Sequence, residues 1–163
     1  MTSDGSGVSK LMLIDGHALV HRAFHAVRDD LSTSSGELTN AVFGFTSIVL
    51  KEIGDLRPSH VIIAFDRPVP TFRHQEYAEY KAHRPPTPSA LVGQFKRVRE
   101  MADALHFATY EVDGFEADDV LGTLSRQADE RGIETVIVTG DLDAVQLVSE
   151  CVSVLTPGRG MTE

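Results

Sequence analysis

Short apolar runs alternate along the chain with longer stretches of helical periodicity. Residues 10–14, 60–65, 135–139 and 152–155 are brief and rich in Val, Ile and Leu, as strands buried on both faces of a sheet should be. Between them, residues 40–54 place Val42, Phe43, Phe45, Ile48, Val49 and Ile53 around a mostly apolar helix that the Arg57–Pro58 pair ends. Residues 89–105 repeat apolar positions at Leu91, Phe95, Val98, Ala102 and Leu105, a period near 3.6. Residues 115–131 predict a third helix, with acids in its first turn, Val120, Leu121, Leu124 and Ala128 on one face, and Gly132 past its end. Strands alternating with helices predict a parallel sheet covered on both sides. Residues 31–39 read as a polar loop, and the three prolines of residues 84–89 separate two helical pieces. There is no internal repeat. Residues 156–163 are loop-like and do not close a domain, which suggests a fragment of a longer chain.

At 163 residues and 42% hydrophobic, the chain is sized for one domain with a real core. No apolar stretch approaches the roughly 20 residues that span a bilayer. The first residues, polar and rich in Ser and Gly, lack the apolar centre of a signal peptide, so a cytosolic setting is expected. The single Cys151 rules out an internal disulfide and agrees with a reducing compartment.

The formal charge of −9 argues at first against a nucleic-acid partner. Its distribution changes that picture. Residues 67–99 hold seven basic side chains (Arg67, Arg73, Lys81, Arg84, Lys96, Arg97 and Arg99) against Glu76 and Glu79, a local +5 that leaves −14 elsewhere. A charge run is more often a solvated face, so its meaning depends on what the acids do.

The acids fall where the predicted strands end. Asp15 follows the first run, Asp66 the second, and Asp141 with Asp143 a third, while Glu116, Asp118 and Asp119 open the third long helix. In an open parallel sheet these carboxyl ends lie along one edge, where ligands bind. Each acid alone has an ordinary reading as turn or capping chemistry. Together, seven carboxylates at one crevice repel and require protonation, dispersal or cations. Hard divalent cations suit an all-oxygen set, and Mg²⁺ or Mn²⁺ is expected. Such clusters serve phosphoryl transfer, where one ion activates water and a second, ~4 Å away, stabilises the leaving oxygen. The stretch around Phe72, Arg73, Tyr77, Tyr80, Lys81 and Arg84 then fits a grip on a nucleic-acid backbone with stacking on bases.

Five linked motifs now carry a resemblance. Leu-Ile-Asp-Gly-His with His-Arg-Ala-Phe-His-Ala, Phe-Asp-Arg-Pro with Phe-Arg-His, Tyr-Lys-Ala-His-Arg-Pro-Pro-Thr-Pro, Glu-Ala-Asp-Asp-Val-Leu-Gly and Thr-Gly-Asp-Leu-Asp resemble, in order and spacing over residues 10–155, the 5′ nuclease domain of bacterial DNA polymerase I. The resemblance implies an α/β, three-layer parallel-sheet fold, PIN-like and Rossmann-like, with a helical arch over residues 67–90. It places a flexible tail at residues 1–9 and the nuclease portion at 10–163, ending before the family's helix–turn–helix-like module. It implies a structure-specific 5′-3′ exonuclease and flap endonuclease of replication and repair, cutting DNA at a 5′ flap, nick or gap with two metal ions.

By the same resemblance Asp15, Asp66, Glu116 and Asp118 surround the first ion with Asp119 close by, and Asp141 and Asp143 belong to the second. Lys81 and Arg84 lie on the arch and contact the scissile phosphate. Arg73 and Arg22 make further phosphate contacts, and Tyr77 and Tyr80 belong to the DNA-binding stretch. The family's Tyr six residues after the first Asp is His21 here, and its Lys between the last two acids is Leu142. An imidazole offers less stacking area, so weaker substrate positioning is expected. The family's further aspartates lie beyond residue 163, so an intact first site, an incomplete second site and weak activity are expected. A monomer in the cytoplasm near the nucleoid, with a polymerase domain downstream, completes the expectation.

Other readings stay open at this point. They are a PIN-like ribonuclease, a catalytically incomplete DNA-binding piece and, less favoured, a phospho-receiver domain. His17, His21 and His25, four residues apart, would align on a helix and suggest zinc, but the plainer reading is helix residues near the site edge. Phe43, Phe45 and Phe95 follow helix spacing and are read as core.

Overall fold

The computed structural model describes residues 9–77, 79–83 and 85–158. Among these residues five strands form one parallel sheet in the order β3-β2-β1-β4-β5: β1 Lys10–Asp15, β2 His60–Ala64, β3 Ala108–Tyr110, β4 Glu134–Val138 and β5 Val152–Leu155. The order reverses at β1, which pairs with β2 on one side (Ile14 opposite Ile63) and β4 on the other (Ile14 opposite Val138). The crevice above β1 and β4 is therefore the topological switch point, where open α/β sheets bind ligands.

Both sheet faces are apolar, as the unbroken strand runs require. On one face Met12, Ile14, Ile63, Phe65, Val136 and Val138 pack under α1 (Gly16–Ala26), α2 (Asn40–Leu56) and α4 (Ser89–Ala104). On the other, Leu13, Ala64, Ile137 and Val152 pack under α5 (Ala117–Asp129) and Ala144 of a 3₁₀ helix, Leu142–Leu147. Gly16 lets α1 start hard against the end of β2: a Cβ there would stand 2.4 Å from the Phe65 ring and 2.8 Å from the Ala64 carbonyl oxygen.

Three features differ from the sequence reading. A fifth strand, β3, sits at the sheet edge with all three residues exposed, so no apolar run announces it, and the strand that precedes Asp141 is the fourth in chain order. A short helix, α3 (Phe72–Glu76), opens the basic segment. Phe43 is 47% exposed rather than core, because α2 is apolar around its circumference and turns Phe45 inward while Phe43 faces away. Residues 1–8 of the expected tail lie outside the described residues.

The start of α2 is capped from another helix. Thr39, at its N-cap, makes no side-chain capping bond. Instead the buried Gln94 of α4 accepts from the backbone N–H groups of Ala41 (2.8 Å) and Val42 (3.3 Å) and donates to Asn40 Oδ1 (3.0 Å). Asn40 in turn donates to the carbonyls of Phe24, in the last turn of α1, and Val27, just past its end. Gln94→Leu keeps the volume and orphans these groups. With each buried unpaired group costing about 1–3 kcal/mol, thermal denaturation of Q94L should show a loss of about 3 kcal/mol, a fall of roughly 6–12 °C. An unchanged midpoint would remove Gln94 as the cap.

Candidate active site

The strand ends deliver their acids to one place. Asp15, Asp66, Glu116, Asp118 and Asp141 line a cavity of about 280 Å³ at the carboxyl edge of the sheet, together with His17, His21 and Lys81. Local structure fixes most of them. Asp15 is the N-cap of α1, its Oδ1 accepting from Ala18 N at 2.9 Å, and its Oδ2 accepts from the Thr139 hydroxyl at 2.8 Å. Asp66, just past β2, accepts from Ala117 N at 2.6 Å and so ties that strand end to the start of α5. Its own N–H donates to His17 Nδ1 at 3.3 Å, which leaves the His17 proton on Nε2. Glu116 is the buried N-cap residue of α5.

Crowded charge shows in the acids' proton affinities. Burial, then the charges of Asp15, Asp141, Asp66 and Glu116, push Asp118 up to about 6. Burial also raises Asp15; the Ala18 N–H and the Thr139 hydroxyl oppose it, and Asp66 and Asp141 add to it. Burial lowers His17 against the pull of Asp66, keeping that imidazole neutral.

The remaining candidates depart from expectation in instructive ways. Asp119 does not line the cavity. Its two oxygens take a bidentate pair of 2.7 Å bonds from Arg73, and Oδ2 also accepts from Glu116 N. That fork holds Asp119 below the usual carboxylate range and occupies the guanidinium read as a phosphate contact. Arg73 also lies over the Phe72 ring, 4.6 Å from its centroid. Asp143 is exposed and outside the cavity, its N–H donating to Asp141 Oδ1 at 2.9 Å. Seven acids were expected at the crevice, and five line it.

Nor do the bases stand apart from the acids. Lys81 Nζ donates to Glu116 Oε1 at 2.8 Å and Tyr80 Oη to Glu116 Oε2 at 3.0 Å. Lys81 does so from a left-handed backbone conformation, φ 57°, a strain held only where surroundings over-determine it. Arg67 pairs with Asp113, Arg97 with Glu37, and Arg99 with Glu111. Among the described residues the basic segment is thus largely neutralised within the fold. Arg22 donates to the Pro157 carbonyl. Tyr77, 66% exposed, ends α3 away from the cavity, and Arg84 lies outside the described residues.

The histidines follow the plainer reading. His17 stacks on Phe95 at 4.4 Å, His21 meets the same ring edge-on at 5.7 Å, and His25 packs on Phe24. Among the described residues no group of three or more His, Cys, Asp or Glu is close-set enough to hold a metal ion as placed. Protein donors engage both oxygens of Asp15 and Glu116 and one of Asp66. The donor set itself, five carboxylates and no sulfur, suits hard divalent cations.

Sequence reasoning missed Thr139, Gln94 and the Arg73–Asp119 fork. The Thr-Gly-Asp-Leu-Asp motif contained Thr139, but only its acids were read.

Residues 10–163 match the family model described as 5′-3′ exonuclease, N-terminal resolvase-like domain. The DNA polymerase I of Chloroflexus aurantiacus is 50% identical over 145 residues, 88% of this chain and 15% of that protein. The DNA polymerase I of Mycobacterium bovis is 45% identical over 154 residues, 94% of this chain and 17% of that protein. The chain therefore spans 15–17% of the length of these curated relatives. Among solved structures, the T5 D15 protein co-crystallised with metal ions superposes with a TM-score of 0.67 at 22% identity, covering 90% of this chain and 55% of that one. The catalytic core of Rad2 in complex with DNA substrate gives 0.56 at 16%, covering 95% and 46%. The parallel-sheet, PIN-like fold expected from the sequence is borne out.

Proposed function

Because the chain belongs to the 5′-3′ exonuclease N-terminal resolvase-like domain family, we propose that it hydrolyses DNA phosphodiesters as a 5′-3′ exonuclease and 5′-flap endonuclease, removing flaps and primers in replication and repair. The observation that carries this reading is one cavity lined by carboxylates from three strand ends and a helix start, with Lys81 in its wall. The T5 protein crystallised with metal ions and the Rad2 core bound to DNA lend support from the same fold.

Asp15, Asp66, Glu116 and Asp118 would hold a first Mg²⁺ or Mn²⁺, and Asp141 with Asp143 contribute to a second. Bound there, divalent ions supply Lewis-acid activation of water and positive charge at the leaving oxygen. The chain's own residues do the rest. Lys81, released from Glu116, meets a non-bridging phosphate oxygen, and Arg84 and Arg22 add phosphate contacts. Asp119 sets the guanidinium of Arg73 in a fixed fork beside the strand path. His21, at the cavity wall against Phe95, offers an imidazole face to a base next to the cut, with Tyr77 and Tyr80 further along the strand.

The test is incubation with a 5′-flapped duplex in Mn²⁺, in EDTA, and with the flap strand as RNA. Flap release in Mn²⁺, none in EDTA and slower cutting of RNA are expected. Equal or faster cutting of RNA would favour a ribonuclease, and no cutting with Mn²⁺ bound would favour a non-catalytic DNA-binding piece.

A pH dependence follows from Asp118. Its folded-state value of about 6 exceeds the ordinary 3.8, so its stabilising contribution is full below that ordinary value and is lost as pH rises through about 6. Bound cations favour the ionised form and reverse the sign. Melting in EDTA and in Mn²⁺ at pH 5 and 7.5 should therefore show the Mn²⁺-induced rise shrinking at the lower pH. A pH-independent rise would count against Asp118 as a ligand.

A further inference from the structure

Thr139 stands at the centre of the switch point, yet neither the family motif's acids nor the proposed chemistry uses it. It follows β4 directly, is fully buried, and anchors its backbone through a 3.1 Å bond from its N–H to the Leu155 carbonyl of β5. Its hydroxyl bonds the Asp15 carboxylate and the backbone of Asp141, one residue from each set of acids. Oγ1 donates to Asp15 Oδ2 at 2.8 Å and accepts from the Asp141 N–H at 3.0 Å. The directions follow from chemistry, because an N–H only donates and a threonine hydroxyl has one proton to give. That proton goes to Asp15, whose other oxygen accepts from Ala18 N.

We infer that Thr139 is a positioning residue, whose hydroxyl fixes the Asp15 carboxylate and pins the Asp141 loop to it, setting the spacing between the two groups of metal-binding acids. This rests on the nuclease reading above. Without the hydroxyl, Asp15 turns about its side-chain bonds and the loop after β4 loses its tie to β1, 124 residues away in sequence. The methyl group contributes as well: a β-branched side chain in a buried site has little χ1 freedom, so the hydroxyl is held where both partners need it. Groups that orient metal ligands in this way are worth about 10–100-fold in metal affinity.

The experiment compares the full chain with Thr139→Val, which keeps the shape and removes the hydroxyl, and Thr139→Ser, which keeps the hydroxyl and removes the methyl. Three readouts are taken: Mn²⁺ affinity by calorimetry, the thermal midpoint, and amide exchange at Asp141 without metal. T139V should bind Mn²⁺ about 10-fold or more weakly and exchange the Asp141 amide faster. T139S should lose thermal stability through packing while keeping near-wild-type affinity and slow exchange. A purely structural Thr139 gives another pattern, with affinity tracking the midpoint in both variants, and that result overturns the proposal. So does wild-type affinity in T139V, or T139S falling as far as T139V; the serine variant decides the matter if the valine variant does not fold. Absence of Mn²⁺ binding by the wild-type chain would bring down the nuclease reading and this metal-positioning role with it, whereas failure of the Thr139 pattern alone leaves that reading standing.

Discussion

Replacing Asp15 by Asn is expected to lower Mn²⁺-dependent flap cleavage by about 10³-fold while leaving the metal-free chain at least as stable as the wild type. The two halves of that result have separate origins. Asn is as good an N-cap as Asp, so its carbonyl oxygen keeps the bond from Ala18 N, and its amide can donate to Thr139 Oγ1. One negative charge also leaves a set in which burial and neighbouring acids already disfavour ionised Asp15. The same charge is needed once a divalent ion must be held. Losing about 4 kcal/mol of metal-assisted stabilisation corresponds to about three powers of ten in rate. Cleavage rates and melting with and without Mn²⁺ check both halves. A variant that cleaves within tenfold of wild type, or that Mn²⁺ stabilises as fully, would remove Asp15 from the site.

Lys81→Ala separates metal binding from phosphate chemistry. Cleavage should fall about 10²–10³-fold, the usual cost of losing one donor aimed at developing charge. Mn²⁺ affinity should move the other way, because the ammonium on Glu116 Oε1 competes for an oxygen the ion would use. Opposite signs in the two assays are the signature. Parallel losses would mean that Lys81 only supports the fold of the cavity wall.

The acids at the ends of β1, β2 and β4 were legible in the sequence because each sits one or two steps past an apolar run, and parallel pairing sends all such ends to one edge. What was not legible involves meetings between distant segments. Arg73 and Asp119 are 46 residues apart, Gln94 and Ala41 are 53 apart, and no periodicity announces either pair. Composition counts the charges of the basic segment but not their partners, so its fit to a nucleic-acid backbone is legible and its pairing within the fold is not. The edge strand β3 escaped notice because, exposed on every residue, it needs no apolar side chains. Phe43 was misplaced because an all-round apolar helix carries no phase that tells inside from outside.

The central place of β1 also has a consequence for folding. It pairs with β2 about 50 residues later and with β4 about 125 residues later, and every pairing in the sheet is parallel and non-local, a topology that folds slowly. The half built from β1, β2 and β3 carries only Asp15 and Asp66 at its edge. Asp141 joins them only where β4 pairs with β1. A cation held by Asp15 and Asp141 together would bind only the sheet in which β1 and β4 are paired, and so would stabilise that pairing by mass action.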